Sequence, residues 1–553
     1  EGFDVDALGK RFEGFKAQAG WRPFYVSGAG GGDAWARLDP LAGNGVTMEG
    51  VCRVLKEMGV DVFIGGDAVV AREFPKNGLA FGVHGSGEGF WGMEKFSPEP
   101  NVLCDREGKK TDKDGPWSNA GPRAIAAYRE HNQKRLGDCW EGAMIYMVDE
   151  PRGQWFAGGR YGDYSECNKA AFNAWAAAQG LKDLATGPIP ERGRTMDFYH
   201  FYRYRLETPF MFVAAVVKDT PLARTLVAPG NGRVGPELLN HHCYWPPSAA
   251  QRGMVATGWL YLSPAQAKME AEVLRLANEA GGRSIATTEL WVYHNETPVS
   301  VVPLNTAGIS ALCDGVNAFG FAPAIRGPNA KDWMKAVFIV SRLVHATSGL
   351  TRAPAVRVWL PQSISFNDLA DLNTAEADRW AALRNALFEA NVDFTVTNLL
   401  NLPPKEVVIY CCARPTLSEQ EFERLKAFVD RGGTLVAMFD GDPETPDGRP
   451  IAGWKTLPAV RVIRAGLSVD ELRAKAMARA PRRNMDTGVA CVKSFLYSRQ
   501  GKPVHLLSNT DVENAREVKL APAMVDAITG EKFAAGATVR LGPGRYALLE
   551  ETQ

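Results

Sequence analysis

The sequence predicts an α/β protein: a (β/α)8 barrel, then a flavodoxin-like α/β unit, then a small antiparallel β unit. Three observations lead there. Eight short, continuously apolar runs alternate with longer amphipathic stretches as far as residue 350. A second strand–helix rhythm begins at 355, and from 488 onward short strand-like segments are separated by turn signals. Continuously apolar runs suit parallel strands, whose two faces are both covered by helices. Eight of them alternating with helices is the pattern of a barrel.

The strand candidates are "RPFYVSG" (22–28), "VDVFIGG" (60–66), "LAFGVHG" (79–85), "MIYMVDE" (144–150), "RTLVAPG" (224–230), "MVATGWLY" (254–261), "RSIATTELW" (283–291) and "GVNAFGFAP" (315–323). Helical patterns separate them. "MEGVCRVLKEMG" sets Val51, Val54 and Leu55 at helical spacing. "PRAIAAYREHNQKRLG" leads into the fourth strand, and "YSECNKAAFNAWAAAQG" and "RTMDFYHFYRYRLETPFMFVAAVVKD" follow it. "SPAQAKMEAEVLRLANEAGG" offers Ser263 as N-cap and Pro264 at the first helical position, and closes on glycine. "KDWMKAVFIVSRLVHATSG" ends the region. An open doubly wound sheet is the rival. It is disfavoured because the glycine-rich "GAGGGDAW" after the first strand leads into polar loop and not into a helix, as a dinucleotide turn would.

The predicted boundaries are 1–352 for the barrel, 353–485 for the flavodoxin-like unit and 486–553 for a β-sandwich-like unit. In the second, "AVRVWLP", "DFTVTNLL", "EVVIYCCA" and "TLVAMFDG" read as strands, with helices over "TAEADRWAALRNALFEANV" and "LSEQEFERLKAFVDRGG". In the third, turns at "RQGK" and "TGEK" join short strands that end in "GRYALLE".

Composition narrows the function. Sixty-three basic and 63 acidic residues give a net charge of zero, which argues against nucleic acid or an anionic membrane as the partner. No apolar run reaches the length of a membrane span. The nine cysteines are scattered without a CxxC pair, so they read as buried thiols and no zinc site or other cofactor is expected. The chain begins at Glu1 and shows no leader, leaving a bacterial periplasmic or secreted location and the cytoplasm both open. Trp91, Trp155, Trp245, Trp259 and Trp291 fall at strand ends or in loops, where an indole can stack on the apolar face of a sugar ring; core filling is the plainer role for any one of them.

Active sites of such barrels sit at the carboxyl ends of the strands. Strand four ends in Asp149-Glu150, and strand seven carries Glu289. Two carboxyl groups facing each other across a barrel mouth are what glycoside hydrolysis needs: about 5–5.5 Å apart for retention through a glycosyl-enzyme, about 6.5–9.5 Å for inversion through water. A single acid at a strand end is more often a cap or the partner of an arginine; a pair on strands four and seven is harder to explain that way.

Four short motifs, "VDEP" around Glu150, "TTELW" around Glu289, "FNAWAAAQG" after strand four and the ending "GPGRYALLE", occur in the order barrel, flavodoxin-like unit, β unit. In this the chain resembles the retaining glycoside hydrolases with (β/α)8 barrels, and more narrowly the family 42 β-galactosidases and their relatives, some β-mannosidases included. The resemblance implies Glu150 as general acid/base, Glu289 as nucleophile and a trimer built through the middle unit. It implies an exo-acting enzyme on terminal β-linked sugars, β-galactosidase-like first and β-mannosidase second, with an oligosaccharide or glycoside as substrate and no cofactor. One position departs from the pattern. The clan's acid/base glutamate follows an asparagine that bonds the sugar's 2-hydroxyl, and here the residue is Asp149. Either Asp149 contacts the sugar or it turns away and another side chain does so.

Further substrate-binding candidates are Asp67 and His84 after strands two and three, Asn231 after strand five, Trp259 and Tyr261 on one face of strand six, and Trp291 on the face of Glu289. Glu296 rivals Glu289 but reads as a loop or cap residue. His241-His242-Cys243 lacks further ligands nearby, and Cys411-Cys412 lacks the glycines of a nucleophile elbow. Two other readings remain: a catalytically silent sugar-binding barrel, and an enzyme working through the flavodoxin-like unit. The second requires a polar, ligand-sized cleft at that unit's strand ends.

Overall fold

The structure is a computed structural model. It describes residues 164–218, 245–260, 264–288 and 330–552 except 483, together with 48–65 and the short segments 25–27, 76, 78–84, 126, 129–130, 145–146, 227–228 and 318–320.

Each of the eight apolar runs contains one strand: β1 (Tyr25–Ser27), β2 (Val62–Gly65), β3 (Ala80–His84), β4 (Ile145–Tyr146), β5 (Val227–Ala228), β6 (Val255–Leu260), β7 (Arg283–Thr288) and β8 (Ala318–Gly320). They form one sheet in the order β5-β4-β3-β2-β1-β8-β7-β6. Every pair is parallel, and β1 bonds both β2 and β8. The first and eighth strands are therefore neighbours, as a barrel requires. Among the described residues the pairing stops between β5 and β6.

The helices around this sheet are α1 (Met48–Glu57), α2 (Glu166–Ala178), α3 (Met196–Val217), α4 (Pro247–Gln251), α5 (Pro264–Glu279) and α6 (Ala330–Ala346). Their ends follow local chemistry. The Ser165 hydroxyl caps α2 by accepting from Asn168 N, and Thr195 caps α3 by accepting from Phe198 N. Helix α5 begins at Pro264 as the spacing predicts; Ser263 lies outside the described residues. The turn from α5 into β7 needs glycine, because a Cβ on Gly282 would lie 2.6 Å from the Ala250 Cβ of α4. Helices α2 and α3 pack through aromatics, Phe172 meeting Phe201 edge-on at 5.1 Å.

After α6, β9 (Thr351–Arg352) precedes a second sheet of β10 (Val356–Trp359), β11 (Phe394–Thr397), β12 (Val407–Cys411), β13 (Thr434–Met438) and β14 (Val462–Arg464). Its order, β11-β10-β12-β13-β14 with every pair parallel, is the flavodoxin-like one. Strand β14 is absent from the sequence reading. Helices α7 (Phe366–Asp371), α8 (Ala375–Glu389) and α9 (Glu419–Asp430) accompany the sheet. A capping box opens α9: Ser418 Oγ accepts from Glu421 N, while the Glu421 carboxylate accepts from Ser418 N.

The C-terminal strands are β15 (Val492–Arg499), β16 (Lys502–Asn509), β17 (Arg516–Lys519), β18 (Met524–Asp526), β19 (Lys532–Phe533), β20 (Thr538–Leu541) and β21 (Tyr546–Glu551). An antiparallel sheet β19-β18-β21-β16-β15-β9 faces the ribbon β17-β20. Between them Val492, Leu507 and Leu549 pack with Val518, Val539 and Leu541. The β15–β16 hairpin turns on Gln500 (φ 52°) and Gly501 (φ 84°), the double positive φ of the tightest hairpins.

Thr351 and Arg352, which the sequence reading puts at the end of the first unit, pair with Ser498 and Tyr497 of β15. The connecting chain satisfies its backbone groups on the edge of the C-terminal sheet.

Candidate functional site

Because all pairs in the first sheet are parallel, the carboxyl ends of its strands open on one side. Among the described residues β4 extends to Tyr146, shortly before Asp149 and Glu150 in sequence, and β7 to Thr288, next in sequence to Glu289. In the strand order β3, β2, β1 and β8 lie between β4 and β7. The acids themselves lie outside the described residues, as do Asp67, Asn231, Tyr261, Trp291, Glu296, His241, His242 and Cys243. Two candidates stand on described backbone. His84 closes β3 in register with Tyr146, and Trp259 lies on β6 opposite Thr287 of β7.

Strand β7 is approached through α5, and α5 is fastened to the edge of the second sheet. Lys268 Nζ donates to Phe394 O (3.1 Å). The Glu272 carboxylate accepts from Thr395 Oγ1 (2.6 Å) and Val396 N (3.2 Å), while pairing with Lys268 and with Arg275 Nε (3.1 Å). Arg275 donates to Val396 O, and Glu279 accepts from Asn398 N (2.9 Å). Residues 268, 272, 275 and 279 recur at helical spacing, so one stripe of α5 satisfies the outward backbone groups of β11. The element feeding the Glu289 strand thus leans on the flavodoxin-like sheet.

Cys411 ends β12, and Cys412 follows it. Both are free and buried. Burial pushes the Cys411 thiol up to about 12 and the Cys412 thiol well above its ordinary value. A reactive cysteine needs the opposite shift, so these two fill core, as the sequence suggests. Among the described residues no group of His, Cys, Asp or Glu is arranged to hold a metal ion, and no helix is long and apolar enough to cross a membrane.

At the strand ends of the flavodoxin-like unit, where the reading of an enzyme working through that unit requires a polar cleft, the structure has one whose residues the sequence reading did not name. A polar crevice of about 220 Å³ opens between α3 and the carboxyl ends of β10 and β11, with Tyr199, Arg203, Trp245, Gln362, Asn398 and Arg424 among its walls. Helix α3 carries Tyr199 and Arg203 one turn apart, a spacing visible in "FYHFYRY". Their partners come from more than 150 residues away, which no local pattern announces.

The fold so described is that of a class of solved glycosidases, the GH42 β-galactosidases. A β-galactosidase from Bacillus circulans sp. alkalophilus matches 96% of this chain and 99% of its own at a TM-score of 0.69 and 12% identity. A catalytic mutant of a GH42 β-galactosidase from G. stearothermophilus matches 97% and 99% at 0.68 and 13%. An exo-carrageenase, also GH42, from Bacteroides ovatus matches 96% and 80% at 0.59 and 12%. At these identities the likeness establishes a shared fold over nearly the whole chain. The sequence matches no family profile and no curated protein.

Proposed function

We propose that this protein is a glycoside hydrolase: an exo-acting, retaining β-glycosidase, β-galactosidase-like in specificity, that releases terminal β-linked sugars by double displacement. The observation that carries the reading is the parallel sheet whose fourth and seventh strands closely precede Glu150 and Glu289 in sequence, in a fold shared with GH42 β-galactosidases. Closure of the barrel between β5 and β6, the three-unit division at 353 and 486, and a homotrimer belong to the same proposal; a sedimenting mass other than three chains would remove the trimer from it.

The chemistry follows from the two acids. Glu289, ionised, attacks the anomeric carbon while Glu150, protonated, gives its proton to the leaving oxygen. A negative Glu289 nearby raises the pKa of Glu150 and keeps that proton on. Once the glycosyl ester forms, the charge is gone, Glu150 becomes the stronger acid, and its carboxylate takes the proton of the incoming water. Asp149 sits next to the acid/base, where an ionised carboxylate can only accept from the 2-hydroxyl.

The test is a panel of p-nitrophenyl β-glycosides with wild type, Glu150→Gln and Glu289→Gln. The expected result is turnover of the β-galactoside by wild type, with kcat lowered at least a thousandfold in each variant and an unchanged circular dichroism spectrum. Near-native activity in either variant would sink the assignment. Sugar binding without turnover of any glycoside would leave the silent barrel.

A further inference from the structure

The crevice beside α3 lies away from the strand ends of the first sheet. It touches α4, just ahead of β6, and Ala280, just ahead of β7, so it flanks the amino ends of those strands. We propose that it is a second ligand site, for a single sugar-sized polyol carrying one anionic substituent, a carboxylate or a sulfate.

Position is the first argument. Trp359 ends β10, Asn398 follows β11, Ser418 caps α9, which follows β12, and Arg424 lies midway along α9. In the order β11-β10-β12 the chain reverses direction of travel at β10. A crevice outside the carboxyl ends at such a point is where doubly wound sheets take ligands. Size is the second. A cavity of about 220 Å³ falls below the ~300–1,000 Å³ of ordinary small-molecule sites, which limits the occupant to about one ring.

Charge is the third argument. Both acids in the wall already have partners. Glu207 accepts from Arg252 (2.9 Å) and from Trp175 Nε1 (3.4 Å). Glu421 accepts from Ser363 N (3.1 Å), Ser418 N (2.8 Å) and Ser418 Oγ (2.9 Å). The arginines are not matched in the same way. Arg203 spends its Nε on Gln362 Oε1 (3.2 Å), with its guanidinium 5.9 Å from the Trp175 ring. Among the described residues, neither Arg203 nor exposed Arg424 makes an ion pair. Two guanidinium groups line the crevice outside any ion pair while its two carboxylates are held by other donors, and such guanidinium groups can take an anion.

The rest of the wall favours hydroxyls over phosphate esters. The amides of Gln251, Gln362, Asn398 and Gln420 both donate and accept, and Trp245 offers an indole edge. A nucleotide is disfavoured because the Glu421 carboxylate already occupies the amides of Ser363 and Ser418, where a phosphate would dock. No glycine-rich turn follows β10, whose continuation reads "LPQSIS".

The experiment is calorimetric titration of the full chain with galacturonate, galactose 6-sulfate, galactose and inorganic sulfate. Wild type, Glu289→Gln, Arg203→Met and Arg424→Met are compared. At least one of the two anionic sugars is expected to bind, and which one identifies the substituent. Galactose and sulfate alone should bind at least ~10-fold more weakly. Each arginine variant should lose at least ~5-fold in affinity at unchanged melting temperature, Arg424→Met being the safer for folding because its side chain is exposed. Glu289→Gln should bind like wild type, which separates this site from the proposed catalytic one. No binding by either anionic sugar, equal binding of galactose, equal binding of sulfate alone, or affinity indifferent to both arginines would overturn the proposal.

Discussion

Glu376, near the start of α8, is almost fully buried and accepts three hydrogen bonds, from Asn367 Nδ2, Ala413 N and Arg414 N, each at 2.8 Å. It ties the loop after Cys412 to α7 and α8. Burial outweighs those bonds and raises its pKa from 4.5 to about 7. The folded chain therefore holds this proton more tightly than the unfolded chain. The resulting stabilisation is complete below 4.5 and disappears as pH rises through about 7. Urea midpoints of wild type and Glu376→Gln, followed from about pH 5 to about pH 8, should diverge, wild type losing up to ~3 kcal/mol relative to the variant. Parallel pH dependences would refute the assignment. At this scale the sequence was legible where a residue's surroundings followed from its place on a strand, as with the buried thiol of Cys411 at the end of β12. Arg203 was not legible: a cation on a helix face gains meaning only when Gln362 is folded against it.

Helices were legible in proportion to their length, and strands where they lay inside a continuous apolar run, as two-residue β4 and β5 do. Helices α5, α8 and α9 carry several turns of apolar period, and Ser418–Glu421 announces the start of α9. Strands β9 and β14, two and three residues long, contain too little period to read. The pairing of α5 with β11 is a tertiary fact with a testable energy. Lys268 and Glu272 are almost wholly buried, and Lys268 also lies over the Phe394 ring at 5.0 Å. Removing the carboxylate leaves a buried ammonium without its counter-ion and takes the acceptor from Thr395 Oγ1 and Val396 N. Such losses amount to about 3–5 kcal/mol. Glu272→Leu is expected to lower unfolding free energy by about that much in urea. A double-mutant cycle with Lys268→Met should show a coupling of at least ~1 kcal/mol. A loss below ~1 kcal/mol in the single variant would mean that apolar packing, and not this stripe, holds α5 on the edge of β11.

In the whole molecule the second sheet and the C-terminal sheet meet at one ion pair. Arg352, in the segment joining the first sheet to the second, donates to both oxygens of Asp393 (2.9 and 2.5 Å) and to Leu496 O (2.7 Å). Asp393, just ahead of β11, accepts in turn from Leu496 N (2.7 Å). The Arg352 guanidinium also lies 5.0 Å from the Tyr497 ring. The order of the sheets along the chain was readable from the change in strand–helix rhythm. The way they lock was not, because the pair joins residues 41 apart and the carbonyl 144 apart. The Asp393 side chain is fully buried, so Asp393→Ala leaves a guanidinium and the Leu496 amide without their acceptor. Hydrogen exchange should then quicken at 351–356 and along β15, whose edge β9 covers, while β12 and β13, bonded on both sides, keep wild-type protection. Uniform acceleration across all three sheets would instead mean that they open as one cooperative unit. Unchanged exchange at Leu496 would show that β9 holds the C-terminal sheet without the ion pair.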